Sequence, residues 1–199
     1  MNHLPRPDNP DGFFLVSLIG KGSFAEVWLA KHNKSNTNVA IKVIPKKSLK
    51  TEDQKVRLFR EIQLQKQFRH QYLASFYGMK ENSDNYYLIM EYLPRGTLSN
   101  KIAQENLMSE QKIRHYFTQI IYSMFYMHNQ LNVAHRDLKA ENIMIDLEDN
   151  IRIIDFGLSR EIPEEGFKTK CGSPQYSAPE IYTNEYYTKA VDVWASGII

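Results

Sequence analysis

The most informative stretch of the sequence reads His135-Arg136-Asp137-Leu138-Lys139-Ala140-Glu141-Asn142. Thirteen residues after Asn142, directly behind the β-branched run at 151–154, comes Asp155-Phe156-Gly157. An aspartate at the end of a strand, followed by a glycine that permits a sharp turn, can reach a metal ion that bridges two phosphates. Residues 155–157 alone would be read as a surface turn. Their spacing from the first stretch, with Ala178-Pro179-Glu180 and Asp192-x-Trp194-x-x-Gly197 downstream, makes coincidence negligible.

Upstream of residue 94 the sequence predicts an antiparallel sheet with one helix. Short runs rich in β-branched and aromatic residues, separated by polar or Gly- and Asn-rich turns, predict strands at 13–19, 25–31, 39–44, 73–79 and 86–92. Thr51 and Gln54 form a capping box at the start of the helix. Val56, Phe59 and Ile62 then give this helix an apolar stripe.

Downstream of Pro94-Arg95-Gly96 the pattern becomes mainly helical. A helix is predicted to start after Ser109 as N-cap, with one apolar face formed by Ile113, Phe117, Ile120, Ile121 and Met124. Short strands are predicted at 143–145 and 151–154. The fold class is therefore α+β, and we predict a polar N-terminal extension at 1–12, a strand-rich lobe at 13–93 and a helix-rich lobe at 94–199. A cleft is expected between the lobes.

The segment Gly20–Val27 places two glycines between the first two strands. Glycine lets the backbone approach a polyphosphate and turn N–H groups toward it. A glycine-containing hairpin without ligand explains the segment equally well, so the motif alone leaves both alternatives open.

Lys42 lies inside an apolar strand, where an ammonium group without a partner is expensive to bury. Glu61 is its best carboxylate partner, because it shares a helical face with Leu58 and Ile62 and can point at the sheet. The alternative is an ordinary exposed strand lysine.

These motifs, from Gly20 to Gly197, closely resemble those of the protein kinase family. The resemblance implies the two-lobe protein-kinase fold and transfer of the γ-phosphoryl group of ATP to a serine or threonine hydroxyl of a protein. Asp137 would accept the hydroxyl proton or orient the hydroxyl, Lys139 would offset charge near the phosphoryl group, and Asn142 and Asp155 would hold Mg²⁺. Lysine at position 139 is typical of the serine/threonine branch.

The resemblance also implies the nucleotide site. Met90 stands at the gatekeeper position, Glu91 and Leu93 would offer backbone hydrogen bonds to adenine, and Val27, Ala40 and Met144 would sandwich the base. Each of these has an equally good core interpretation. The full predicted ATP-binding set is Ile19, Gly20, Lys21, Gly22, Ser23, Phe24, Ala25, Val27, Ala40, Lys42, Glu61, Met90, Glu91, Leu93 and Met144.

Residues 158–177 are similar to the activation segments of calcium/calmodulin-dependent and AMP-activated-type kinases. Thr169 matches their activating phosphothreonine, which would need an upstream kinase, and Arg136, with Arg160, would clasp the phosphate. An ordinary loop threonine is the alternative. Ser173 resembles the hydroxyl that bridges Asp137 and Lys139.

Three positions depart from the family pattern. Ala25 replaces the expected third glycine, and Thr97 stands where many basophilic relatives have glutamate, so Glu141 alone is left to pair with a substrate arginine. Gln65 falls at a usually apolar position one turn after Glu61. We expect this polar side chain to loosen the stack through Phe76, His135 and Phe156.

The composition limits the partners. The 199 residues have a net charge of +2 without a long basic run and include one cysteine, Cys171. They contain neither a signal peptide nor an apolar stretch of membrane-spanning length. We therefore expect a protein substrate, no nucleic acid and no membrane, in the cytoplasm with the nucleus left open.

The family's fold would be expected to continue beyond Ile199, where further helices complete the second lobe. We expect a fragment of an active kinase, and the alternative is a truncated, inactive protein that binds a nucleotide or a partner. The retention of Lys42, Glu61, Asp137, Asn142 and Asp155 favours the first. Purified alone, the 199 residues are expected to be poorly soluble and to transfer little or no phosphate.

Overall fold

A computed structural model describes residues 7–22, 24–105 and 107–199. They divide into two compact units, one comprising the described residues of Met1–Ile62 together with Ser75–Tyr92, the other comprising Gln63–Ala74 and Leu93–Ile199. The predicted α+β class, with an antiparallel sheet and a helix followed by a mainly helical part, is confirmed.

The first unit is built on a five-stranded antiparallel sheet with the order β1-β2-β3-β5-β4. Its strands are β1 (Phe13–Lys21), β2 (Glu26–His32), β3 (Asn38–Pro45), β4 (Phe76–Glu81) and β5 (Asn85–Glu91). Alternate residues of β3 point to opposite faces. Val39, Ile41 and Val43 join one apolar cluster, whereas Ile44 packs on the other face with Leu58 and Ile62 of the helix α1 (Glu52–Gln67).

The start of α1 is capped as predicted. Thr51 Oγ1 accepts a hydrogen bond from the Gln54 N–H at 3.3 Å, and Gln54 Oε1 accepts one from the Thr51 N–H at 3.2 Å. Two backbone donors that the helix itself leaves without partners are thereby satisfied. The capping box is confirmed.

The second unit contains the last turn and a half of α1 and all the remaining elements. Its helices are α2 (Leu98–Gln104), α3 (Glu110–Phe125), α4 (Glu180–Thr183) and α5 (Ala190–Ile198), and α3 continues as a single wider π turn over Tyr126–Gln130. Two short antiparallel pairs complete it: β6 (Val133–Ala134) with β9 (Arg160–Glu161), and β7 (Ile143–Ile145) with β8 (Ile151–Ile153). Its core includes Leu64, Phe68 and Leu73, which is why Gln63–Ala74 groups with this unit.

The fourth predicted strand starts too early. The sequence predicts 73–79, but β4 begins at Phe76. Leu73 instead makes an isolated parallel bridge with Ile153, and the Ala74 N–H donates to the Ile153 carbonyl oxygen at 2.9 Å. The apolar character of Leu73 therefore reports burial in the second unit rather than membership of the sheet.

The predicted apolar face of α3 is only partly correct. Ser109 does cap the helix, because its hydroxyl accepts from the Lys112 N–H at 3.3 Å. Ile120 and Met124 are buried, but the side chains of Ile113, Phe117 and Ile121 remain 52%, 43% and 39% exposed.

The polar residue Gln119 explains why the buried face of α3 differs from the predicted one. Gln119 is buried because its side chain donates to Asn150 Oδ1 at 2.8 Å and accepts from the Ile151 N–H at 2.8 Å. These hydrogen bonds pair polar groups at the turn between β7 and β8. A glutamine therefore takes a core-facing position on α3 that the apolar pattern did not predict.

No helix among residues 7–22, 24–105 and 107–199 combines the length and the apolar character needed to cross a bilayer.

Candidate active site

Lys42 and Glu61 are brought together by β3 and α1. Lys42 Nζ lies 3.0 Å from Glu61 Oε1, and the two side chains are 23% and 8% exposed. Lys42 stands opposite Val27 on β2 and Leu88 on β5, inside the sheet. An ammonium in this setting needs a carboxylate, and Glu61 supplies it. The predicted pair is therefore present, and its nucleotide-binding role stays a prediction.

The hairpin between β1 and β2 carries the predicted glycine loop. The Gly22 N–H donates to the Ala25 carbonyl oxygen at 2.8 Å and closes the tip, beside the exposed Phe24. Lys21 pairs with Glu26 at 3.5 Å. The β1–β2 register is irregular between Leu18 and Gly20. Ser23, also predicted to bind ATP, lies outside the described residues.

The predicted adenine-binding residues occupy different parts of the fold. Within the first unit Ala40 of β3 pairs with Met90 of β5, and Val27 lies on β2, the neighbour of β3 on its other side. The Glu91 N–H donates to the Ser75 carbonyl oxygen at 2.9 Å, and Glu91 stands opposite Val39 at the end of the β3–β5 pairing. In the second unit, the residues expected to contact the base are Leu93, which is buried, and Met144 of β7.

A closed hydrogen-bond network surrounds Asp137 in the second unit. Ser173 Oγ donates to Asp137 Oδ1 at 2.8 Å and accepts from Lys139 Nζ at 2.8 Å. Lys139 Nζ also lies 3.1 Å from Asp137 Oδ2, and Asn142 Nδ2 donates to the same oxygen at 3.2 Å. The predicted bridge through Ser173 is confirmed. Three side chains, those of Ser173, Lys139 and Asn142, therefore contact the Asp137 carboxylate.

The backbone ties this network to residues 155–157. The Ile154 N–H donates to the Asn142 carbonyl oxygen at 2.9 Å, and the Gly157 N–H approaches Asp155 Oδ1 at 3.4 Å. Arg136 and Asp155 both have left-handed backbones, with φ of 66° and 60°. Such backbones cost about 1 kcal/mol or more in non-glycine residues and cluster at functional sites.

Asp192 of α5 holds the backbone at the start of residues 135–142, the segment that we call the catalytic loop. Its carboxylate accepts from the His135 N–H and the Arg136 N–H, both at 2.8 Å, and lies 2.7 Å from His128 Nε2. Burial raises the pKa of Asp192, but the hydrogen bond with His128 and the backbone bonds outweigh it and hold the pKa below its ordinary value. The sequence motif indicated Asp192, whereas nothing in the sequence singled out His128.

The predicted regulatory residues lie in and around the activation segment (residues 158–177). Thr169 is exposed, and Arg136 contacts the segment through Phe167, with the guanidinium carbon 4.6 Å from the ring centroid. Arg160 lies in β9, where it pairs with Ala134. Tyr187 contacts both Arg136 and the backbone of Thr169. Sequence reasoning missed this residue because an isolated tyrosine belongs to no motif.

The predicted Mg²⁺ ligands suit a hard cation. The amide nitrogen of Asn142 donates to Asp137, so its side-chain carbonyl oxygen would be the coordinating atom, and Asp155 would contribute a carboxylate. Oxygen ligands in small number are what Mg²⁺ takes when phosphates supply the rest. Within the described ranges no group of three or more His, Cys, Asp or Glu residues forms a separate metal site.

Comparison with known proteins agrees with this geometry. A model of the protein kinase domain family matches residues 13–199. "SNF1-related protein kinase catalytic subunit alpha KIN12" of Arabidopsis thaliana is 38% identical over 182 residues, 91% of this chain and 37% of that protein. "Carbon catabolite-derepressing protein kinase" of Saccharomyces cerevisiae is 40% identical over 187 residues, 93% of this chain and 29% of that protein.

A human relative, "NUAK family SNF1-like kinase 1", is also 40% identical over 187 residues, 93% of this chain and 28% of that protein. The chain thus spans about a third of the length of the curated relatives that it matches. The predicted resemblance to kinases of the calcium/calmodulin-dependent and AMP-activated type is confirmed. With a family match over 13–199, the chain belongs to the protein kinase family, among relatives of the SNF1-related type.

Proposed function

We propose that this chain provides the catalytic groups of a protein kinase that transfers the γ-phosphoryl group of ATP to a serine or threonine hydroxyl of a protein. The observation that carries the proposal is the network in which Ser173, Lys139 and Asn142 all contact the Asp137 carboxylate. A carboxylate fixed in this way can accept a proton from an incoming hydroxyl without rearranging.

The first unit is proposed to bind the nucleotide. Lys42, oriented by Glu61, would neutralise the α- and β-phosphates, and the backbone around Gly20 and Gly22 would cover them. The flat apolar surfaces of Val27 and Ala40 suit a purine ring. Lys42 is held by Glu61 at 3.0 Å before any ligand arrives, which lowers the cost of ordering it.

The second unit is proposed to carry out the transfer. Asp137 orients the substrate hydroxyl and takes its proton as the oxygen–phosphorus bond forms, while the leaving group is ADP. Lys139 offsets negative charge on the transferring phosphoryl group. Asn142 and Asp155 would hold Mg²⁺, which supplies charge neutralisation to the phosphates when bound.

Thr169 is proposed as the activating phosphorylation site, with an upstream kinase as its donor. A phosphate there would bring close to two negative charges next to Arg136, whose backbone is continuous with the catalytic Asp137. Replacement of Thr169 by alanine is therefore expected to lower the transfer rate strongly.

The function is tested by assaying the protein from its intact gene with ATP and Mg²⁺. Peptides that carry serine, threonine or tyrosine serve as acceptors. We expect transfer to serine and threonine, and a loss of about 100-fold or more in Asp137→Asn. The matched control is Asp84→Asn, an exposed aspartate in the β4–β5 turn. Transfer that survives in Asp137→Asn at the control rate would refute the assigned role.

Nucleotide binding is measured in parallel by the shift in melting temperature with ATP and Mg²⁺. If Asp137→Asn still binds ATP while neither it nor the parent protein transfers phosphate, the chain is an inactive nucleotide-binding relative instead. If the parent protein binds no nucleotide, both functions are excluded.

A further inference from the structure

Tyr187 is a buried tyrosine that the mechanism above does not use. It lies between α4 and α5 and pairs in antiparallel fashion with Phe167 of the activation segment, with N–H to oxygen distances of 2.7 and 3.0 Å. Its side chain is 3% exposed, and its ring centroid lies 5.4 Å from that of Phe167. The backbone pairing therefore fixes where its hydroxyl can point.

The Tyr187 hydroxyl joins the activation segment to the catalytic loop. It donates to the Thr169 carbonyl oxygen at 2.6 Å and accepts from Arg136 Nη1 at 3.2 Å. The directions are unambiguous, because a guanidinium only donates and a carbonyl only accepts. The hydroxyl has one proton, and it donates that proton to the backbone of the segment that carries Thr169.

The protonation state supports this role. Burial, together with the neighbouring Cys171 thiol 3.6 Å from the hydroxyl, raises the pKa of Tyr187 to about 12, although Arg136 opposes the shift. The hydroxyl therefore keeps its proton at neutral pH and remains a donor.

Arg136 is held by more than Tyr187. Its Nε donates to the Leu158 carbonyl oxygen at 2.8 Å, directly after residues 155–157, and its guanidinium stacks on Phe167. Arg136 therefore contacts the start and the middle of the activation segment, and its own backbone leads into Asp137. The contacts that fix Arg136 therefore also help to position the catalytic loop.

We propose that Tyr187 is a positioning residue that fastens the backbone of Thr169 to Arg136 before any phosphate is present. This inference rests on the proposed function. Phosphorylation of Thr169 would then supply a stronger, charged partner to Arg136 and make the Tyr187 hydroxyl dispensable. Tyr187 would therefore set the basal, unphosphorylated activity rather than the activated one.

The test uses Tyr187→Phe, which removes the hydroxyl and keeps the packed ring. The protein from its intact gene is prepared with either threonine or genetically incorporated phosphothreonine at position 169. In the threonine form we expect Tyr187→Phe to lower the transfer rate about fivefold, the typical effect of one net hydrogen bond. In the phosphothreonine form we expect a change of less than about twofold. Tyr182→Phe, which alters an exposed tyrosine of α4, is the matched control.

A second measurement needs no catalysis. Trypsin cleavage after Lys168 and Lys170 reports how firmly this segment is held. We expect Tyr187→Phe to speed cleavage about fivefold in the threonine form and less than about twofold in the phosphothreonine form. If the parent protein transfers no phosphate, the proposed function fails, and cleavage still decides the role of Tyr187. Equal acceleration in both forms, or none in either, would overturn the proposal and leave Tyr187 as a packing residue.

Discussion

At the scale of single residues, the catalytic loop and the activation segment meet at one close backbone approach. Gly172 has a left-handed φ of 102°, and a Cβ atom placed on it would lie 2.7 Å from the Arg136 carbonyl oxygen. Arg136 itself has a φ of 66°. A left-handed glycine thus packs against the strained backbone of Arg136 beside Asp137, and the space between them admits only glycine at position 172.

We predict that Gly172→Ala displaces the activation segment. The methyl group would collide with a backbone atom that cannot rotate away, so trypsin cleavage after Lys170 should accelerate about tenfold or more. Gly12→Ala provides the control, because Gly12 has a similar φ of 84° but open space where its Cβ would stand. An equal response of the two variants would show that backbone strain alone, and not the contact with Arg136, makes glycine necessary.

Asp192 yields a prediction about pH. Its pKa is lowered in the folded state, so its stabilising effect is complete above the unfolded pKa of about 4 and is lost as the pH falls through the folded value. Asp192→Asn should lower the free energy of unfolding by about 3 kcal/mol at neutral pH, since it breaks a buried pair.

The difference between Asp192→Asn and the parent protein is measured by urea unfolding from pH 7 downward. It should shrink below about pH 4, because the unfolded parent then takes up the proton first. The exposed Asp84→Asn serves as reference. A difference that stays constant across this range would mean that hydrogen-bond geometry, and not charge, accounts for the effect.

At the scale of elements, the sequence predicted where the helices α1 and α3 start better than it predicted which face of α3 is buried. The caps at Thr51 and Ser109 follow from side chains that bond within their own turn, so the sequence shows them directly. The buried face of α3 depends on Gln119, whose partners lie 31 and 32 residues away. A pattern of apolar residues contains no information about such a partner, and the predicted stripe was wrong at Ile113, Phe117 and Ile121 for that reason.

The pairing of β3 with α1 gives the prediction at this scale. Glu61→Gln removes the charge that holds Lys42 and keeps the size of the side chain, so the transfer rate should fall about tenfold or more. Glu52→Gln is the control on the same helix, because Glu52 pairs with Lys55 on the exposed first turn at 2.7 Å. If both variants kept the parent rate, the Lys42–Glu61 pair would have a structural role alone.

At the scale of the whole molecule, the motifs predicted the local network and left the rest open. Asp137, Lys139, Asn142 and Ser173 could be placed together because three of them lie within six residues and a family resemblance supplied the fourth. Tyr187 and His128 could not, because their partners lie on other segments of the chain, at sequence distances that no motif records.

The second unit exposes apolar side chains on two helices, and this leads to a prediction for the isolated chain. They are Ile113, Phe117 and Ile121, spaced four residues apart along α3, and Val193, Trp194 and Ile198 of α5. Contiguous apolar surface of this kind promotes association, whereas a single exposed apolar residue does not. We therefore expect the 199-residue chain to self-associate at micromolar concentration.

The triple variant Ile113→Lys, Phe117→Lys, Ile121→Lys should reduce light scattering and shift the sedimentation profile toward monomer. These side chains are about half buried, so we expect its melting temperature to fall moderately without loss of the fold. Leu147→Lys, at a single exposed leucine in the β7–β8 turn, should leave association unchanged. Equal improvement by both variants would instead point to added net charge, and not to the exposed face of α3, as the cause.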